Sequence, residues 1–219
     1  VLPSSLTRAI TACLLGLALQ AQAAGPVAGN PQAGRLKAED GRCFECHGER
    51  GEGGAPVAGA EPKFAKLGGQ HADYLVKQLQ DFRSGARQND FMRLLVRELD
   101  DGDLRDIAAY FASQPAPRGA LQADSAPGAR LYREGDAARG VVACASCHGE
   151  SGRTAAAEGG PSVPILRGQD PRYLEEQLGH WRSGFRRNSP GNVMNQAIRP
   201  LTDDEIHALA AYLASPNAP

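Results

Sequence analysis

Two short stretches could do chemistry: Cys43-Phe44-Glu45-Cys46-His47 and Cys144-Ala145-Ser146-Cys147-His148. Each sets two thiols about one helical turn apart and follows the second with an imidazole. At that spacing both thiols can add to the two vinyl groups on one edge of a haem, forming thioethers, while the imidazole takes the iron from one face. A redox-active Cys-x-x-Cys would sit in a βαβ context, which the flanking sequence does not offer. A zinc site would need four ligands per copy, whereas only Cys, Cys and His recur. The expectation is two covalently attached haem c groups, with Cys43, Cys46, Cys144 and Cys147 as the thioether positions and His47 and His148 as axial ligands.

The second axial ligand decides between electron transfer and ligand chemistry. The chain has only two methionines, Met92 at 45 residues after His47 and Met194 at 46 after His148. One per copy at nearly the same distance marks both as sixth ligands. A thioether opposite an imidazole favours ferrous iron and closes both faces to substrate, so the irons are expected to exchange electrons, and no catalytic residue is expected. The other histidines, His71, His180 and His207, align with Asp170, Asp81 and Arg105 and read as ordinary solvated side chains.

The elements that position these residues are themselves duplicated. The Cys-x-x-Cys-His-Gly-Glu segments match at an offset of 101. Leu67-Gly68-Gly69-Gln70 matches Leu166-Arg167-Gly168-Gln169, and Phe82-Arg83-Ser84-Gly85 matches Trp181-Arg182-Ser183-Gly184, at an offset of 99. A three-residue insertion near Pro190 then precedes the match of Ala109-Tyr110-Phe111 to Ala211-Tyr212-Leu213. Helices follow from the periodicity: Tyr74, Leu75, Leu79 and Phe82 share one face behind a cap at Asp73, and Tyr173, Leu174, Leu178 and Trp181 repeat it. Thr202 with Glu205, and Asp100 with Asp103, read as capping pairs before the last helix of each copy. No alternation suggests strands, so the fold class is all-α.

The seam falls at Gln114-Pro115-Ala116-Pro117, which ends a helix and starts a stiff linker. Residues 1–23 read as an export leader: one early cation, Arg8, an apolar run from Ala9 to Leu19 too short to span a bilayer, and the small-residue site Ala21-Gln22-Ala23. The expected domains are therefore 24–116 and 117–219, with the fifth cysteine, Cys13, lost with the leader. Net charge is −1 with both signs interspersed, which leaves no basic stripe for nucleic acid.

In combination these residues resemble the dihaem cytochrome c4 family, with Leu131-Tyr132-Arg133-Glu134-Gly135 leading to Cys144. The resemblance implies two tandem class I cytochrome c domains related by a pseudo-two-fold axis, with haem propionates near the domain interface. It implies a periplasmic carrier, loosely membrane-associated, passing electrons from a bc1-type quinol-oxidising complex towards a terminal oxidase. A dihaem subunit of a larger dehydrogenase, such as flavocytochrome c sulfide dehydrogenase, is the alternative. Pro164 matches the family's proline whose carbonyl holds the haem histidine, whereas the first copy has Ala65 there and should have a less rigid loop. Arg83 and Arg182 are matched candidates for pairing with propionates, weighed equally against solvated helix-end arginines.

Overall fold

A computed structural model describes residues 29–53, 64–117, 127–154 and 162–214. The expected leader and residues 118–126, just after the seam, lie outside them. In the first half, α1 (Pro31–Asp40), α2 (Phe44–His47), α3 (Ala72–Ser84), α4 (Asp90–Val96) and α5 (Asp101–Ser113) follow in order. The second half repeats them as α6 (Pro127–Glu134), α7 (Ala145–His148), α8 (Pro171–Ser183), α9 (Val193–Ile198) and α10 (Asp203–Leu213). Short 3₁₀ turns at Ala137–Arg139 and Pro190–Asn192 are extra to the second half. Among the described residues the only β pairing is two isolated bridges, Asp136 to Val141 and Gln169 to Ala214.

In each half the first helix crosses the last so closely that only glycine fits. A Cβ at Gly34 would lie 1.9 Å from the Asp106 carbonyl oxygen, and one at Gly128 would lie 2.1 Å from that of Ala208. Lys37 braces the first crossing by reaching Asp103 at 2.8 Å and Asp106 at 2.6 Å. The remaining helices pack on the same two: α3 lies against α5 and carries α4, and α8 lies against α10 and carries α9. Each middle helix ends where Gly85 or Gly184 takes a left-handed conformation, φ 82° and 77°, which a residue with a Cβ adopts at a cost.

The cores are corresponding but not identical. The first is built on Ala38, Leu75, Ile107, Ala108, Tyr110 and Phe111, the second on Tyr132, Leu174, Trp181, Leu209, Tyr212 and Leu213. Fully burying each large apolar side chain contributes about 1.5–3 kcal/mol. Both expected capping pairs form as complete capping boxes, Asp100 with Asp103 and Thr202 with Glu205. The cap expected at Asp73 does not: α3 begins at Ala72 with His71 at the cap position and Asp73 in the first turn. In the second half Asp170, aligned with His71, accepts from the Tyr173 amide as a true cap.

Candidate functional site

Each Cys-x-x-Cys-His segment coils into one short helix, α2 or α7, so its two thiols and imidazole leave a single turn. The imidazoles are oriented from behind. His47 Nδ1 lies 2.8 Å from the Ala65 carbonyl oxygen and His148 Nδ1 lies 3.1 Å from that of Pro164. A carbonyl can only accept, so Nδ1 carries the proton and the Nε2 lone pair is left to bind a metal. Burial holds both histidines below the usual imidazole range, which keeps them neutral and able to ligate. The alanine in the first half has not cost the bond that the second half makes through proline.

The carbonyl-bearing loops are fixed on both sides. The amides of Leu67 and Gly68 donate to the Gly51 carbonyl, as those of Leu166 and Arg167 do to Gly152. Across the molecule, Gln169 accepts from the Lys66 amide at 2.7 Å and donates to the Lys66 carbonyl at 2.9 Å. Gln70 does the same to Ile165, at 3.0 and 2.9 Å. Each glutamine therefore clips the other half's chain at the residue next to the carbonyl that holds the histidine.

None of the four motif cysteines is in a disulfide among the described residues, and burial pushes the Cys43 and Cys144 thiols up to about 11. That is the opposite of the depressed thiol that redox exchange needs. Cys144 and Met194 pack against the second core and Cys43 against the first. Met92 and Met194 sit half-buried on α4 and α9, the short helices carried by α3 and α8.

Large apolar side chains cluster in sequence around these residues and remain exposed: Phe64, Phe91 and Leu94 in the first half, Val142, Phe185 and Val193 in the second. Exposed apolar side chains beside the thiols and imidazoles suit a broad apolar group such as a porphyrin. An acid-bearing group is matched too. Where the halves meet, Arg87 and Arg186 are 8% and 6% exposed. Arg87 donates to Gln78, Gln177 and the Tyr173 hydroxyl at 2.7–2.9 Å, and Arg186 to Gln177, Gln78 and the Tyr74 hydroxyl at 2.9–3.3 Å. Their guanidinium carbons lie 4.5 Å above the Phe82 ring and 4.4 Å above the Trp181 ring. These side-chain acceptors are all neutral, so two buried cations face each other and favour anionic groups at this seam.

Arg83 and Arg182 are bound to the protein itself rather than left in solvent as helix-end cations. Arg83 donates to the Leu99 carbonyl at 2.7 Å and pairs with Asp101, and Arg182 donates to the Leu201 carbonyl at 2.9 Å and pairs with Asp203. They tie the end of each middle helix to the start of the last. The unmatched histidines are also partnered: His71 Nε2 lies 2.8 Å from the Thr154 carbonyl across the interface, His207 lies 2.7 Å from Glu175, and His180 stacks on Phe185 at 4.7 Å.

Comparison with known proteins agrees with this geometry. The family model for cytochrome c matches twice, over residues 31–115 and 125–216. A cytochrome c4 of Thiocapsa roseopersicina is 40% identical over 88% of this chain and 95% of the relative. The crystal structure of reduced recombinant cytochrome c4 from Pseudomonas stutzeri superposes with a TM-score of 0.75 at 35% identity, covering 86% of this chain and 99% of the other. The chain belongs to the cytochrome c4 family. As a cytochrome c4 it carries two covalently bound haem c groups in two cytochrome c domains and is an electron-transfer protein. Among the relatives, a thiosulfate dehydrogenase electron acceptor of Stutzerimonas stutzeri is 39% identical over 91% of this chain and 89% of its own length.

Proposed function

We propose that this cytochrome c4 is a non-catalytic, periplasmic dihaem carrier whose domains, 24–116 and 117–219, follow an export leader at 1–23. Cys43 and Cys46 anchor one haem between His47 and Met92, and Cys144 and Cys147 anchor the other between His148 and Met194. When bound, the haems supply one-electron chemistry at iron. The protein's part is to orient the imidazoles through Ala65 and Pro164, present the thioethers, exclude water with apolar side chains and hold acidic groups near Arg87 and Arg186. The observation that carries this reading is the repeated imidazole held at Nδ1 by a carbonyl, with one methionine per half.

Electrons would enter from a quinol-oxidising complex and leave towards a terminal oxidase. Among the described residues no helix is long and apolar enough to cross a membrane. The relative named for thiosulfate dehydrogenase supports a second reading, in which a sulfur-oxidising dehydrogenase is the donor. Reduction rates with each purified donor separate the two. Met92→Ala and Met194→Ala should each remove about half of the red-edge charge-transfer band of the oxidised protein. An unchanged band in either variant refutes that ligand.

A further inference from the structure

Asn89 and Asn188 occupy matched positions before the two methionine-bearing helices, yet they do different work. Asn89 accepts from the Met92 amide at 2.9 Å and so caps its own helix. Asn188 is turned across the interface. Its amide nitrogen donates to Gln78 at 3.0 Å and to Asp81 at 2.6 Å, both on α3 of the other half. Its carbonyl accepts from Lys77 of that same helix at 2.8 Å, and Lys77 pairs with Asp81. Its side-chain oxygen accepts from Arg186 at 2.9 Å. The Met194 amide is held instead by the next residue: the Ser189 hydroxyl accepts from it at 3.2 Å, across the turn Pro190–Asn192.

A continuous path therefore runs from Lys77 and Asp81 in the first half, through Asn188 and Ser189, to the backbone of Met194. The residues at the far end of that path do not recur in the repeat: Glu176 and His180 stand on α8 where Lys77 and Asp81 stand on α3, and the Asn89 side chain bonds the amide of its own helix. The Lys77–Asp81 pair is largely shielded, with side-chain exposures of 24% and 17%, so its hydrogen bonds are weakly screened.

We infer that Lys77 and Asp81 are positioning residues for the second haem, holding the Met194 segment across the domain interface, whereas Met92 is held locally. The inference rests on the reading of Met194 as an iron ligand. The axial-methionine methyl resonances of the oxidised protein, which unpaired spin moves clear of the rest of the spectrum, report the two haems separately. In Asn188→Ala and Asp81→Ala the Met194 methyl signal should shift and disappear on alkaline titration about one pH unit earlier, a tenfold change in the displacement equilibrium. The Met92 signal should keep its position and midpoint. Asp81→Asn, which preserves an acceptor for Asn188, should fall between Asp81→Ala and the parent. Unchanged titration of Met194, or equal movement of both methionines, overturns the inference. Persistence of both methyl signals in Met194→Ala would instead overturn the ligand assignment itself.

Discussion

The two halves make a comparable part-buried bond with different tyrosines, to carbonyls one position apart in the repeat. In the first, Tyr110 on α5 donates to the Glu49 carbonyl just beyond the Cys-x-x-Cys-His helix, and Ala38 on α1 is too small to reach it. In the second, Tyr132 stands where Ala38 does and donates to the Gly149 carbonyl, and Tyr212, the match of Tyr110, is buried with no hydrogen-bond partner among the described residues. The carbonyls that hold the histidines compare in the same way, since an alanine in one half and a proline in the other both deliver one. The reach of a donor or acceptor is therefore kept, while the residue that supplies it is free to change. Stiffness expected from Pro164 alone comes in both halves from the glutamine of the other.

That equivalence can be broken experimentally, most strongly at the clips. Gln70→Ala and Gln169→Ala each remove two hydrogen bonds to part-buried backbone of the other half and should each destabilise by about 2 kcal/mol in denaturant unfolding. A large loss in one variant and none in the other would show that the reciprocity is only geometric. Next come the tyrosines: Tyr110→Phe and Tyr132→Phe should each cost about 1 kcal/mol, whereas Tyr212→Phe should be neutral or slightly stabilising because it removes an unpaired buried hydroxyl. Equal losses at Tyr132 and Tyr212 would contradict the exchange of roles. The smallest effect belongs to Arg182→Ala, whose carboxylate partner Asp203 is 88% exposed. It should cost roughly 1 kcal/mol or less and leave both midpoint potentials where they are. A shifted potential would instead assign it a role towards the cofactor.

The duplication, the helices and the cofactor were legible because they depend on local spacing: Cys-x-x-Cys-His, the capping pairs, and an apolar stripe through Leu75 and Phe82. The interface was not, since periodicity within a half cannot say which polar face meets the other half. Gln70 and Gln169 recur in the repeat, as do Arg87 and Arg186 beside Arg83 and Arg182, all at one offset, but recurrence does not name their partners. A usable signal existed in Gln78 and Gln177, amides repeated at matched positions of an amphipathic helix. A buried amide is retained where it has partners to satisfy. The displacement of the α3 cap from Asp73 to His71 has a similar source, because His71 is held by Thr154 of the other half.

The glutamine clips also govern how the molecule comes apart. Each spans the seam in the opposite direction and grips the chain beside a histidine-holding carbonyl, so parting the halves breaks both together and frees both loops. Between them, Arg87 and Arg186 share the same two amide oxygens, one from each half, so parting the halves takes an acceptor from both arginines at once. Separation of the halves is therefore expected to be cooperative despite their having two cores.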